Sequence, residues 1–348
     1  MTKFATRMGD GHLVELTADE IRRDLEKGTL DAAERGDIPP LAEEELTQLF
    51  EICTMPNKFV SVERGNEVIL TYDAGTIKIP RLGVQMGRSQ IIQLWEKACG
   101  ADTMELAHMD YSYKPVKPIV HEEQAELLNA LLNSIVPIFY GAMPNLGLYT
   151  KPDGPVDNAA ELLPKGKIAE ARAAQEEAIE YAVKDMVYVA SKMYEAGADG
   201  INFDTVGASG DADFLATLKA TEILKSKYPD ICIELGMAGE FVLGMHGELY
   251  YEGVKLAGLY PHEQVKMAEK AGVTIFGSAI NTNSSKTFPW NIARSVTFSK
   301  ACREKAHVPV HANVGMGVGG TPLCDFAPVD AVSRISKAMA EVGKLDGL

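Results

Sequence analysis

The sequence predicts an α/β protein of the (β/α)8 TIM-barrel type, incomplete at its C-terminus, with a small N-terminal α+β cap. Three observations predict it. From residue 101 onward short apolar segments alternate with long amphipathic ones, the pattern of parallel β-α-β units. Polar residues recur at nearly every strand's C-terminal end, where a barrel gathers its active site. No G-x-G-x-x-G opens the first helix, as a dinucleotide-binding doubly wound sheet would require. Periodicity alone leaves the doubly wound sheet as an alternative. The expected division is a cap over 1–100 and a barrel domain over 101–348.

In the cap, Thr17 followed three residues later by Glu20 forms a capping box, which opens a helix near 18–27. LAEEELTQLFEIC supplies a second helix, and EVILTYDAGTIKI reads as two short strands joined at Asp73 and Gly75. Beyond it, strands are expected at 103–109, 136–141, 200–205, 231–236, 273–279 and 308–314. Helices are expected near 121–134, 168–196, 211–227, 261–271, 289–306 and 328–343. A further unit begins at the end. MYEAG-ADGINFD closes a helix at Gly197 and turns into a strand, and MAEVG-KLDGL repeats that grammar with Gly343, Asp346 and Gly347. Leu348 then matches Ile201, the opening of a strand.

Composition bounds the function. The chain has 348 residues, 46% hydrophobic and 24% charged, enough to bury a large core. A formal charge of -15 disfavours nucleic acid and anionic membranes as partners. The five cysteines are scattered and include no C-x-x-C pair, as expected of free thiols in a reducing compartment. The N-terminus lacks a signal-peptide apolar core, and LLNALLNSIVPIFYGAM is interrupted by polar residues and Pro137. A cytoplasmic chain without a membrane span is therefore expected.

Collected at strand ends are Glu105, His108 and Asp110; Tyr140; Asn202 and Asp204; Glu234 and Glu240; Ser278 and Asn281; and His311 and Asn313. Several carboxylates at one barrel mouth are costly unless they serve a cation, a metal or a proton. Each also has a plainer role. Asp110 and Glu240 lie in loops where they could cap turns, His311 could be a satisfied core histidine, and His246 reads as a turn residue. The run NVGMGVGGTP lacks the Walker lysine and reads either as a close-approach loop or as a flexible one. YTKPDGPVDNAAELLPKGK is long enough to be a lid. No paired His/Cys spacing supports a metal. Acids and bases are present, but no strong nucleophile or electrophile is.

The blocks GADTMELAHMDYSYKPVKP, IFYGAMPNLGLYTKPDGP, GADGINFDTVGASGDAD, GMAGEFVLGMHG, AGLYPH and VGMGVGGTP carry a resemblance to the dimethylamine methyltransferases of methylotrophic methanogens. The resemblance runs from MGDG near the N-terminus to LDGL at the end. It implies transfer of a methyl group from dimethylamine to the cobalt of a cognate corrinoid protein, with release of monomethylamine. Members of that family carry pyrrolysine directly after the segment matching LDGL and continue beyond it. The resemblance therefore implies an electrophilic imine at the position after Leu348, and a chain ending where UAG has been read as a stop. A homo-oligomer is implied as well. On strand position, Glu234, Asp204 and Glu105 are the expected proton-handling residues, with Asn202, His311, Asn313 and Asp110 binding and orienting the amine. The competing expectations are an inert truncation product and another barrel enzyme, such as a metal-dependent cobalamin methyltransferase or a decarboxylase.

Overall fold

The structure is a computed structural model that describes residues 2–66, 68, 139–142, 144, 146–315, 317–324 and 327–348. Outside these lie the expected strand 103–109, the helix 121–134, most of EVILTYDAGTIKI, the cap boundary, and Glu105, His108, Asp110 and the Tyr140 side chain.

The chain opens with a hairpin that the sequence did not suggest, β1 (Lys3–Arg7) against β2 (Leu13–Thr17). Its M-G-D-G-H turn closes with Met8 N–H donating to the His12 carbonyl at 2.8 Å, and Gly11 takes the left-handed φ of 91°. The capping box is present: Glu20 N–H donates to Thr17 Oγ1, and Thr17 N–H to Glu20 Oε2. It starts α1 (Ala18–Gly36), longer than expected because Ile21, Leu25, Gly28, Thr29 and Ala32 continue a buried stripe. Then follows α2 (Glu43–Thr54).

The core is a five-stranded parallel sheet. Its strands are β3 (Phe139–Ala142), β4 (Gly200–Val206), β5 (Cys232–Met237), β8 (Ile275–Ser278) and β9 (Val310–Ala312). They lie side by side in that sequence order. Between them run α3 (Ile168–Glu195), α4 (Asp211–Lys227), α5 (Pro261–Ala271) and α6 (Phe288–Lys305). A small antiparallel pair, β6 (Tyr250–Tyr251) and β7 (Val254–Lys255), sits in the connection from β5 to α5, and α7 (Val329–Glu341) follows β9. No reversal of strand order of the doubly wound kind occurs among the described residues, and these do not form a closed barrel.

Period-two alternation divides the sheet into unlike faces. Ile201, Phe203, Ile233, Leu235, Phe276 and Val310 are fully buried in the main hydrophobic core. The alternate positions carry Asn202, Asp204, Glu234, Gly236, Gly277 and His311. One face is thus ordinary core, and the other is polar although largely enclosed.

The final residues join this sheet. Asp346 N–H donates to the Val310 carbonyl at 2.9 Å, Ala312 N–H donates to the Gly347 carbonyl at 3.3 Å, and His311 pairs with Gly347 in parallel register. The strand expected at LDGL is represented by a single parallel bridge at Gly347. The turn differs in detail: Gly197 is left-handed (φ 104°), but after α7 that conformation falls on Lys344 (φ 55°). Gly343 is small for another reason, since a β-carbon there would lie 2.8 Å from the Met339 carbonyl oxygen.

Candidate active site on the polar face of the sheet

Asn202 on β4 and Glu234 on β5 are register partners. Glu234 is only 7% exposed, and its Oε1 is in close contact with Nε2 of His311, which reaches across from β9. The strand between them is kept clear. Gly277 of β8 pairs with both Gly236 of β5 and His311 of β9, and a β-carbon on it would lie 2.7 Å from His311 Cε1 and 2.8 Å from Nε2. Contacts that short are not tolerated, so glycine at 277 is what admits the imidazole to Glu234.

Gly236 plays the same part for β4. A β-carbon there would lie 3.0 Å from Asp204 Oδ1 and 3.9 Å from Asn202 Oδ1. The two paired glycines form a floor bare of side chains, with Asn202 and Asp204 leaning over it from one side and His311 from the other. Glycine inside a strand marks a place where something approaches the backbone closely, and here the side chains of neighbouring strands do so. Asp204 Oδ1 accepts the N–H of Thr205 at 2.7 Å, Thr205 itself being left-handed (φ 53°). Asn202 Oδ1 is fully buried and has no hydrogen-bond partner among the described residues.

Four expected site residues, Asn202, Asp204, Glu234 and His311, are thus brought together. Asn313 is exposed on the loop after β9, with its Oδ1 against Gly315. Ser278 alternates to the helix-facing side and lies 3.5 Å from the Ser299 hydroxyl on α6. Glu240 belongs to a buried ion pair. Its Oε1 accepts from Arg294 Nη2 at 2.8 Å and its Oε2 from Asn281 N–H at 3.1 Å, while Arg294 Nε donates to Asp31 on α1 at 2.9 Å.

His246 is buried, with Nε2 3.0 Å from Glu176 Oε1, and its N–H and that of Gly247 donate to Asp211. The glycine run is fastened rather than loose. Gly319 N–H donates to the Ile280 carbonyl at 2.7 Å, Thr282 N–H to the Gly317 carbonyl at 2.9 Å, and Gly317, Gly319 and Gly320 all have positive φ. Its glycines serve a tight turn. The lid candidate is tied internally between Thr150 and Val156.

Sequence reasoning missed the glycine floor, although its signal was present: E-L-G and F-G-S put glycine at the C-terminal end of neighbouring strands. It also missed Asp213, on the first turn of α4, which accepts N–H groups from Gly207 and Ser209 at 3.1 and 3.3 Å. Burial pushes its carboxyl up to about 7, against the lowering effect of those backbone donors.

Chemically, the polar face holds a carboxylate and an imidazole in close contact next to a buried amide oxygen without a hydrogen-bond partner among the described residues, above a floor able to admit a small group. Such a site suits a small cation that must give up a proton. Among the described residues, no group of three or more His, Cys, Asp or Glu side chains is placed to hold a metal ion, and no helix is long and apolar enough to cross a membrane. No solved structure matches the chain. The family model described as dimethylamine methyltransferase (Dimeth_PyL) matches residues 2–348, and this chain belongs to that family, a methyltransferase of methylamine metabolism acting on dimethylamine.

Proposed function

We propose that the polar face binds dimethylammonium and that the protein acts as a dimethylamine:corrinoid methyltransferase, passing one methyl group to the cobalt of a cognate corrinoid protein and releasing monomethylamine. The observation that carries this reading is the Glu234–His311 pair, enclosed within the sheet beside Asn202 and Asp204. Dimethylamine is a cation at neutral pH and has no lone pair until it loses a proton. Glu234 attracts the cation and accepts that proton at a carboxylate oxygen. His311, against Oε1, steadies the carboxylate and offers Nε2 as the next site for the proton. Asp204, fixed by the Thr205 N–H, adds negative potential at the same face.

Pyrrolysine, expected directly after Leu348, supplies an electrophilic imine when present. The residues fit such a group. Gly347 pairs beside His311, and the glycine floor leaves room that a β-carbon on Gly236 or Gly277 would fill. Glu234 and His311 are the described residues that would face it. In this reading the sheet closes as a (β/α)8 barrel, which its sequential strand order and one polar face support. The protein is cytoplasmic and homo-oligomeric, and its corrinoid partner approaches at the strand C-terminal ends.

The test uses the full-length, pyrrolysine-containing protein with its corrinoid partner. Glu234→Gln removes the proton acceptor and is expected to lower dimethylamine-dependent cobalt methylation on the order of 100-fold. A near-normal rate in that variant removes Glu234, and with it this reading of the polar face.

A further inference from the structure

Three features of the polar face bear on how one amine is told from another. Glu234 Oε1 lies against His311 Nε2, and a carboxylate has a second oxygen. Asn202, its register partner on β4, presents an amide oxygen that is fully buried and unpartnered among the described residues. Gly236 keeps the space beside that oxygen open, its absent β-carbon lying only 3.9 Å away. A buried acceptor left without a donor costs free energy unless a ligand completes it.

We propose that Asn202 is a specificity-determining residue that selects secondary ammonium by counting its N–H groups. Glu234 takes one N–H of the cation and Asn202 Oδ1 takes the other. Dimethylammonium has two N–H donors and satisfies both acceptors. Trimethylammonium has one, so it leaves Asn202 bare and sets a third methyl against a polar atom. A site built around a hydrogen bond rejects an analogue lacking the donor far more strongly than an apolar pocket rejects an extra methylene. The inference rests on the proposed placement of the amine next to Glu234.

The test is calorimetric binding to the full-length protein without the corrinoid partner, using dimethylammonium and trimethylammonium chloride. It is repeated with lysine in place of pyrrolysine so that covalent capture does not contribute. The wild-type protein is expected to favour dimethylammonium. Asn202→Leu should weaken dimethylammonium about 10- to 100-fold and leave trimethylammonium within about threefold, so that the preference collapses.

Asn202→Asp keeps an acceptor at the same atom and should keep the preference, which guards against a folding defect in the leucine variant. Equal losses for both amines in Asn202→Leu, no loss at all, or no preference in the wild-type protein each overturn the proposal. Glu234→Gln separates the two ideas: it should weaken both cations together. If it weakens neither, the amine is not held at Glu234, and the proposed function fails ahead of this inference.

Discussion

Arg294 shows how a single residue sets local stability. It is 6% exposed, pairs with Glu240 and Asp31, donates to the Asn281 carbonyl and lies over the Phe298 ring with its guanidinium carbon 5.1 Å from the centroid. Removing it leaves the buried Glu240 with only the Asn281 N–H, whereas Asp31 keeps Arg35. Arg294→Met is expected to cost about 3–5 kcal/mol in chemical unfolding, whereas the double variant Arg294→Met, Glu240→Leu should recover part of that loss. Asp213 gives a pH signature. Its folded carboxyl, at about 7, stands above its ordinary 3.8. The folded state therefore keeps a proton that the unfolded chain releases, and the resulting stability is complete below 3.8 and lost as pH rises through about 7. Asp213→Asn has no such loss. Its stability relative to wild type should improve between pH 4 and 7.5 by on the order of 1 kcal/mol or more, read from urea midpoints, and a flat difference would count against a protonated Asp213. Among residues, Glu234 was legible because a carboxylate amid Ile233 and Leu235 has no ordinary place in a strand. Glu240 and Asp213 were not, because their roles depend on Arg294 and on the backbone of Gly207, which sequence distance hides.

Helices announced themselves better than strands. The bounds of α4 and α5 match those expected, since each is long enough for its apolar period and its caps to agree. The β1–β2 hairpin was missed because β1 is five residues long and mostly exposed or half-exposed, so its alternation carries little hydrophobic contrast. The joint between α1 and α6 yields a test with a diagnostic sign. Gly28 faces α6 so closely that a β-carbon would lie 2.2 Å from the Trp290 carbonyl oxygen, and Thr29 and Thr297 hydroxyls meet at 2.9 Å alongside. In an isolated helix Gly→Ala stabilises by about 1 kcal/mol. Here Gly28→Ala is expected to destabilise by about 1–3 kcal/mol through forced separation of the two helices, measured by thermal unfolding.

At the scale of the molecule, the parallel order β3-β4-β5-β8-β9 followed from alternating units, and the polar face followed from polar strand ends. The glycine floor did not, because which strands become neighbours is decided by the fold and not by any one segment. The pairing of Asp346 and Gly347 with β9 makes its own prediction. Asp346 N–H donates to the Val310 carbonyl, and Asp346 Oδ2 accepts the Val310 N–H at 2.9 Å and forms an ion pair with Arg303, whose Nε lies 2.8 Å away. In hydrogen exchange the amides of Val310, Ala312 and Asp346 should be protected well above those of the exposed loop Asn283–Lys286, and Asp346→Ala should erase much of that protection.

The first turn of the chain, M-G-D-G-H, is anchored almost entirely to residues made late. Gly9 N–H bonds to the Lys286 carbonyl, the Gly9 carbonyl accepts Leu323 N–H, and Arg7 pairs with Asp330 at 2.8 Å. During synthesis on the ribosome this turn must wait for these anchors until residues as far along as Asp330 have emerged from the exit tunnel. Vectorial production thus makes a turn synthesised well before its anchors settle late, and leaves it open to a holding chaperone in the meantime.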